Sequence, residues 1–262
     1  MIASGASSRI FDLGDGRILK LFRESVSDEM IEREVEVTAF AHAQGLPVPR
    51  PLDRRITDGE RGIVYPLLDG RTLLSALRTQ WAKGQALLQD MAALHGGIHD
   101  QNAAGDFRSV RQVLDTDIHY GPASEEAKQA VIAHLDTLPD GEWLLHGDYH
   151  IGNIMLTADG MRVIDWAKGA RGMPAADVVR TEMLIRFGIG PSDMLTNLWR
   201  DWAARFYVGR YLARTGMTEA ELTAWRPVVA TAWLRARLPV RDRAFRRYLN
   251  QSLRACNLPP AS

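Results

Sequence analysis

The 262-residue sequence predicts an α+β protein: a small N-terminal antiparallel sheet with one helix, then a larger, mainly helical C-terminal part. Three observations carry this. Before Pro66, short strand-like runs are separated by glycine-containing turns. After Gly70 the pattern changes to longer segments with cap-like starts and breaker-like stops. One further hairpin signal, at Asp159-Gly160, interrupts the helical part. A division into residues 1–66 and 67–262 follows.

Composition narrows the partners. Hydrophobic residues make up 46% of the chain, enough for a sizeable core, and 32 basic residues balance 32 acidic ones. No net field favours nucleic acid or an anionic membrane, which leaves a small-molecule partner. Cys256 is the single cysteine, so no internal disulfide can form. Met1 to Arg9 lacks the apolar run of a signal peptide, and no stretch approaches the ~20 apolar residues of a membrane span. A reducing, cytoplasmic setting is expected. There is no internal repeat or low-complexity linker, and nothing speaks to oligomeric state.

In the N-terminal part, Ile10 to Leu13 and Arg17 to Phe22 flank Gly14-Asp15-Gly16, a hairpin signal. No third glycine follows and a strand comes next, which excludes a dinucleotide fingerprint, and there is no Walker-type Gly-Lys-Ser/Thr. In the second strand Ile18, Lys20 and Phe22 share a face, so Lys20 projects from an otherwise apolar surface and needs an anion. The next segment supplies one. Ser27 is a plausible N-cap, Asp28 and Glu29 suit the positive end of the helix dipole, and Gly45 is a good stop. Ile31, Glu34, Thr38 and Ala41 fall on one stripe of that helix, so Glu34 faces the sheet. An unpaired carboxylate there would cost several kcal/mol, far above the ~0.5 kcal/mol of a surface pair, and a Lys20–Glu34 pair is expected. Gly45-Leu46-Pro47-Val48-Pro49-Arg50-Pro51 cannot be helical. Strands are expected at Leu52 to Thr57 and Arg61 to Tyr65.

The chemistry concentrates between Trp143 and Trp166. A short apolar run delivers a polar loop with His146, Asp148, His150 and Asn153, and a hairpin then leads to Asp165. The turn brings Asn153 and Asp165 to the same end. A two-residue Asp159-Gly160 loop places them on opposite faces, whereas a three-residue loop including Met161, or an Asn153 still in the preceding turn, restores convergence. A carboxamide oxygen and a carboxylate suit a hard cation such as Mg²⁺. Asp148 is then free to act on a substrate hydroxyl.

Helices are expected at Thr72 to Arg78, Trp81 to His95 (ended by Gly96-Gly97), Ser109 to Ile118 and Ser124 to Leu138. After the hairpin come Pro174 to Phe187, Pro191 to Thr215, Thr218 to Leu238 and Val240 to Cys256, with Thr218 and Glu221 forming a capping box. His95 and His99 read as capping or core residues. Trp199, Trp202, Phe206, Tyr207, Tyr211, Trp225 and Trp233 recur at helical spacing, as core residues do. Arg235, Arg237, Arg241, Arg243, Arg246, Arg247 and Arg254 form a basic run, read as a solvated face or as a pocket for an anionic acceptor.

The run His146-Gly147-Asp148-x-His150-x-x-Asn153, followed by Ile164-Asp165-Trp166, resembles the signature of the aminoglycoside phosphotransferase and choline kinase superfamily. The resemblance implies a two-lobed, protein-kinase-like fold and an ATP-dependent small-molecule kinase. It makes Asp148 the catalytic base and gives Mg²⁺ to Asn153 and Asp165. Lys20, held by Glu34, would grip the α- and β-phosphates. Gly5-Ala6-Ser7-Ser8 lies where the phosphate-covering loop belongs, so Ser7 and Ser8 either bond phosphate or belong to a flexible terminus. Tyr65-Pro66-Leu67-Leu68-Asp69-Gly70 resembles the hinge whose backbone reads the adenine edge, which assigns Tyr65 and Leu67 there. Gly172-Met173-Pro174-Ala175-Ala176-Asp177 resembles the family's continuation, with Asp177 a structural helix start. The acceptor would be a hydroxylated small molecule, and the scarcity of clustered carboxylates argues against an aminoglycoside. Two other classes stay open: a nucleotide-binding regulatory protein without catalysis, and a hydrolase with metal on His146, Asp148 and His150.

Overall fold

The computed structural model describes residues 1–5, 7–103, 107–236 and 241–261. Ala6, Arg237 and the expected helix ends at Leu238 and Val240 lie outside the described residues. The elements begin with β1 (Ala3–Ser4), β2 (Ser8–Asp12), β3 (Arg17–Phe22), α1 (Asp28–Ala43), β4 (Asp53–Thr57), β5 (Glu60–Pro66), β6 (Gly70–Thr72) and α2 (Leu73–Thr79). They continue with α3 (Gly84–His99), α4 (Val110–His119), α5 (Glu125–Thr137), β7 (Trp143–Leu145), β8 (Ile154–Thr157), β9 (Gly160–Val163) and β10 (Ala170–Gly172). The last are α6 (Pro174–Phe187), α7 (Met194–Thr215), α8 (Glu219–Ala236) and α9 (Asp242–Ala255). Contacts divide the chain into two compact units: Met1–Trp81 with Ile151–Gly169, and Ala82–His150 with Ala170–Ser262.

In the first unit an antiparallel sheet runs β1-β2-β3-β5-β4. Alternation along β3 sorts its side chains onto two faces. Phe22 packs with Val26, Ile31, Ile63 and Tyr65, and Ile18 packs against that cluster. Leu19 and Leu21 pack with Val64 on the other face. The Ser27 hydroxyl accepts from Met30 N at 3.3 Å and starts α1, whose inner stripe buries Ile31, Glu34, Val37, Thr38 and Ala41. Lys20 and Glu34 carry opposite charges into this interface and pair there, so the pattern read from the sequence is present in space.

The boundary expected at 66/67 falls inside this unit. The reason is β6, which follows the five-stranded sheet and pairs with β8, so the β8–β9 hairpin joins the first unit. Thr157 pairs with Gly160, and Ile154 with Val163. The hairpin loop is therefore Ala158-Asp159, one residue earlier than either register considered above, and Gly160 closes it at φ +105°.

The second unit is mainly helical. Here Gly96-Gly97 does not end α3, which continues to His99. A Cβ at Gly96 would lie 3.3 Å from Thr215 Cγ2, so this glycine serves the close approach of α7 rather than a helix stop. α7 starts at Met194 behind the Asp193 N-cap, not at Pro191. The capping box forms as expected: Thr218 N–H donates to Glu221 Oε2 at 2.7 Å and Glu221 N–H to Thr218 Oγ1 at 3.3 Å. Tyr207, Tyr211 and Trp225 are buried core residues, whereas Trp199, Trp202, Phe206 and Trp233 are half-buried. No helix among the described residues is long and apolar enough to cross a membrane.

Candidate active site

The first unit gathers one set of groups around Lys20. Its ammonium donates to both Glu34 oxygens, at 2.7 and 2.8 Å, and to Asp165 Oδ1 at 2.9 Å. Tyr65 O–H donates to Glu34 Oε1 at 3.1 Å. Burial acts to lower the Lys20 pKa, but the Glu34 and Asp165 carboxylates outweigh it and hold the ammonium above its ordinary value. Burial pushes Glu34 upward, opposed by the Lys20 charge. Glu34 is enclosed, while the Asp165 side chain is 36% exposed, so the lysine is fixed on one side and can still offer its charge to a ligand on the other.

Asp165 reaches this set from the end of the β8–β9 hairpin. Ile164 N–H donates to Asn153 O at 2.9 Å, extending the hairpin ladder one pair past β8 and β9. Asn153 sits in the turn before β8, and Asp165 leaves the ladder at φ +65°. Strand alternation therefore does not place the Asp165 side chain. Asp165 thus brings a carboxylate, already drawn to the Lys20 ammonium, to this end of the hairpin.

Three expected nucleotide contacts stand differently. Ser8 lies inside β2 and is buried, because a turn closed by Gly5 N–H to Ser8 O at 2.8 Å starts the strand there; Ser7 stays exposed on the turn. Leu67 N–H donates to Gly16 O at 2.8 Å, which makes 16/67 a bonded pair and, two steps along the ladder, 18/65 another. The Leu67 N–H and the Tyr65 backbone thus face β3 and are committed, and the Tyr65 hydroxyl serves Glu34.

The second unit builds the loop that carries Asp148. β7 ends at Leu145, and Gly147 adopts φ +73°, so residues 146–150 are not an extended strand. His146 is fully buried and its Nδ1 accepts from Asp148 N–H at 3.2 Å. The alternating His146, Asp148, His150 face required by the hydrolase reading does not form. Asp177, the fourth residue of α6, holds the loop: its Oδ2 accepts from His146 N–H at 2.7 Å and its Oδ1 from Gly147 N–H at 3.0 Å.

Behind Asp177 lies a buried polar network that sequence reasoning did not assemble. His95 and His99, one turn apart on α3, contact Asp177 Oδ2 through Nε2 at 3.2 and 3.3 Å. Their Nδ1 atoms meet the hydroxyls of Tyr207 at 2.5 Å and Tyr211 at 2.7 Å. Tyrosine O–H donation to Nδ1 leaves Nε2–H to donate to the carboxylate, so Asp177 accepts four hydrogen bonds and every member is satisfied. Burial acts to raise the Asp177 pKa, but the histidine hydrogen bonds hold it well below the usual carboxylate range. His95 is pushed down to about 3, first by burial and then by the neighbouring His99. These three side chains are also a candidate metal-ligand group. Oδ2 already accepts the His146 N–H together with both histidines, which leaves no lone pair for a metal ion. The spacing i, i+4 in α3 was the available signal, hidden by the expectation that Gly96-Gly97 stops the helix.

Arg180, three residues after Asp177 on α6, was also not singled out. Its Nε donates to Gly147 O, its Nη2 lies 3.9 Å from Asp148 Oδ1, and its Cζ stands 5.7 Å from the centre of the Trp233 ring. The Gly147 peptide is thus held from both sides by one helix: its N–H by Asp177 and its C=O by Arg180.

Comparison with known proteins gives the family. The model of the phosphotransferase enzyme family matches residues 1–227, and the chain belongs to that family. Similar solved structures include an aminoglycoside-3'-phosphotransferase of type VIII, at 18% identity and TM-score 0.62 over 88% of this chain and 92% of that one. Amicoumacin kinase hAmiN, solved with AMP-PNP, Ca²⁺ and Ami, aligns at 15% identity and TM-score 0.64 over 100% of this chain and 89% of that one. A choline/ethanolamine kinase family protein from Mesorhizobium loti aligns at 15% identity and TM-score 0.58 over 97% and 85%. At such identities the likeness establishes the kinase-like fold. None of the curated proteins compared with the chain matches it. Family and fold together make this a small-molecule phosphotransferase.

Proposed function

We propose that the chain transfers the γ-phosphoryl group of ATP to a hydroxyl of a small molecule, with Asp148 as the catalytic base. The observation that carries this is the buried Lys20 ammonium, bound at once by both oxygens of Glu34 and by Asp165. A lysine held this way is a fixed point charge. Glu34 keeps it in place, and an incoming phosphate can take over the bond now made to Asp165. Asn153 and Asp165 would hold Mg²⁺, which neutralises charge on the phosphates when bound. The backbone of the segment around Tyr65 and Leu67 would read the adenine edge, and Ser7 would bond phosphate.

In the reaction the acceptor oxygen forms a bond to the γ-phosphorus while the bond from that phosphorus to the β–γ bridging oxygen breaks. The hydroxyl proton passes to the Asp148 carboxylate, and ADP carries away the electron pair. Asp148 works mainly by positioning, since phosphoryl transfer is limited by alignment and charge more than by proton removal. The loop is aligned by Asp177 and Arg180 rather than by residues that touch the acceptor oxygen. A titration with ATP, with and without Mg²⁺, tests the nucleotide half. Wild type should bind more tightly with Mg²⁺, and Asp165→Asn should bind equally with and without it. Equal Mg²⁺ enhancement in both proteins would reject the assignment of Asp165.

A further inference from the structure

The residues next to Asp148 carry information about the acceptor. From Pro174 onward the sequence holds fourteen arginines, no lysine and seven carboxylates. All seven are engaged. Asp177 binds the loop and the histidines, and Glu182, Asp201, Glu219 and Asp242 are paired with arginines. Asp193 and Glu221 serve as helix caps. None of these carboxylates is uncommitted for an ammonium group.

Arg180 stands beside Asp148. Its Nε is used on Gly147 O, and the guanidinium lies over Trp233. Nη2 is at ion-pair distance from Asp148, beyond hydrogen-bond reach, and neither terminal nitrogen has a hydrogen-bond acceptor among the described residues. The side chain is 26% exposed and that of Asp148 is 18% exposed. Two terminal N–H groups side by side fit the two oxygens of a carboxylate or phosphate. A cationic acceptor would meet this charge beside Asp148.

We propose that the acceptor is a hydroxylated small molecule bearing a carboxylate or phosphate, and that Arg180 binds this anionic group and presents a neighbouring hydroxyl to Asp148. The inference rests on the phosphotransferase reading above and adds the substrate class to it. Anchoring by Arg180 fixes the distance between anion and hydroxyl, so acceptors with both on adjacent or next-adjacent carbons are the ones expected to react.

The test uses the full chain with Mg²⁺ and ATP and five probes: glycerate, glycerol 3-phosphate, glycerol, choline and kanamycin. ADP release and product mass are measured for each, in wild type, Arg180→Gln and Arg180→Lys, with thermal unfolding confirming that each variant folds. The expected result is that glycerate or glycerol 3-phosphate exceeds glycerol and choline in kcat/KM by at least about tenfold, the equivalent of one charge-assisted hydrogen bond. Arg180→Gln should raise KM for the anionic probe by a similar factor, with Arg180→Lys recovering part of it. The two anionic probes separate carboxylate from phosphate recognition. Preference for choline, kanamycin or glycerol overturns the proposal, as does an Arg180→Gln effect equal for all probes. So does calorimetry in the presence of Mg²⁺ and AMP-PNP that finds no binding of either anion below about 10 mM. Absence of nucleotide binding is a separate outcome, and it would instead reject the phosphotransferase reading itself.

Discussion

At Lys20, stability and function depend on the same charge. Lys20→Met would leave the Glu34 carboxylate buried without its cation, and the expected loss is about 3–5 kcal/mol in urea unfolding. Adding Glu34→Gln should return a large part of it, so the double variant is expected to be more stable than Lys20→Met alone. The raised Lys20 pKa means that its stabilising contribution is complete below its unfolded value of about 10.4 and is lost as pH climbs through the higher folded value. His95 behaves oppositely. Its folded pKa of about 3 lies below the unfolded value of about 6.5, so the unfolded chain binds the extra proton in that interval. Stability should fall as pH drops from about 6.5 toward 3, by up to about 1.4 kcal/mol per unit. His95→Gln, which can still donate to Asp177, should flatten that slope; an unchanged slope would show that His95 is not its source. The Lys20–Glu34 pair was legible because two independent periodicities pointed inward. Asp165 was legible only as a residue, since its positive φ takes it off the strand and no counting of alternation could place its side chain.

Among the elements, α3 shows why a local signal misled. Gly-Gly favours a stop, yet Gly96 packs against α7 while nothing lies within 4 Å of a Cβ at Gly97. Tertiary packing prevailed, and the helix carries His95 and His99 on to Asp177. Gly97→Ala is therefore expected to stabilise by about 0.5–1 kcal/mol, from helix propensity alone. Gly96→Val should destabilise by about 1–3 kcal/mol, because Thr215 and Arg214 must give way. Guanidinium unfolding of the two variants checks both signs. β6 and β10 are three-residue strands with no run long enough to register as periodic, and β6 is what assigns the hairpin to the first unit. Asp148 and Asn153 were proposed from the spaced loop signature, whereas Arg180 lay unmarked on a helix because one arginine among fourteen has no sequence signal of its own. Its i, i+3 relation to Asp177 becomes informative only once α6 is seen to hold the Gly147 peptide.

For the whole molecule, ligand binding should couple to stability. ATP with Mg²⁺ at a hundred times its dissociation constant should add about 2.7 kcal/mol, provided it binds only the folded chain. This appears as a rise in Tm that Lys20→Met removes. The family and the kinase-like α+β fold follow from the match over residues 1–227 and from the similar structures, and both agree with what the spaced motif and the strand-then-helix order implied. The proposed acceptor class was not legible in composition, because equal numbers of acidic and basic residues conceal that the carboxylates of the last helices are engaged and that Arg180 stands half-buried beside Asp148. The most direct measurement is acceptor-dependent ADP release from ATP and Mg²⁺ by wild type and by Asp148→Asn, with nucleotide affinity determined on the same samples. The expected result is a rate lower by a factor of roughly 10² to 10⁴ in Asp148→Asn at unchanged nucleotide affinity. Near-equal rates in the two proteins would contradict the assignment of Asp148 as the base.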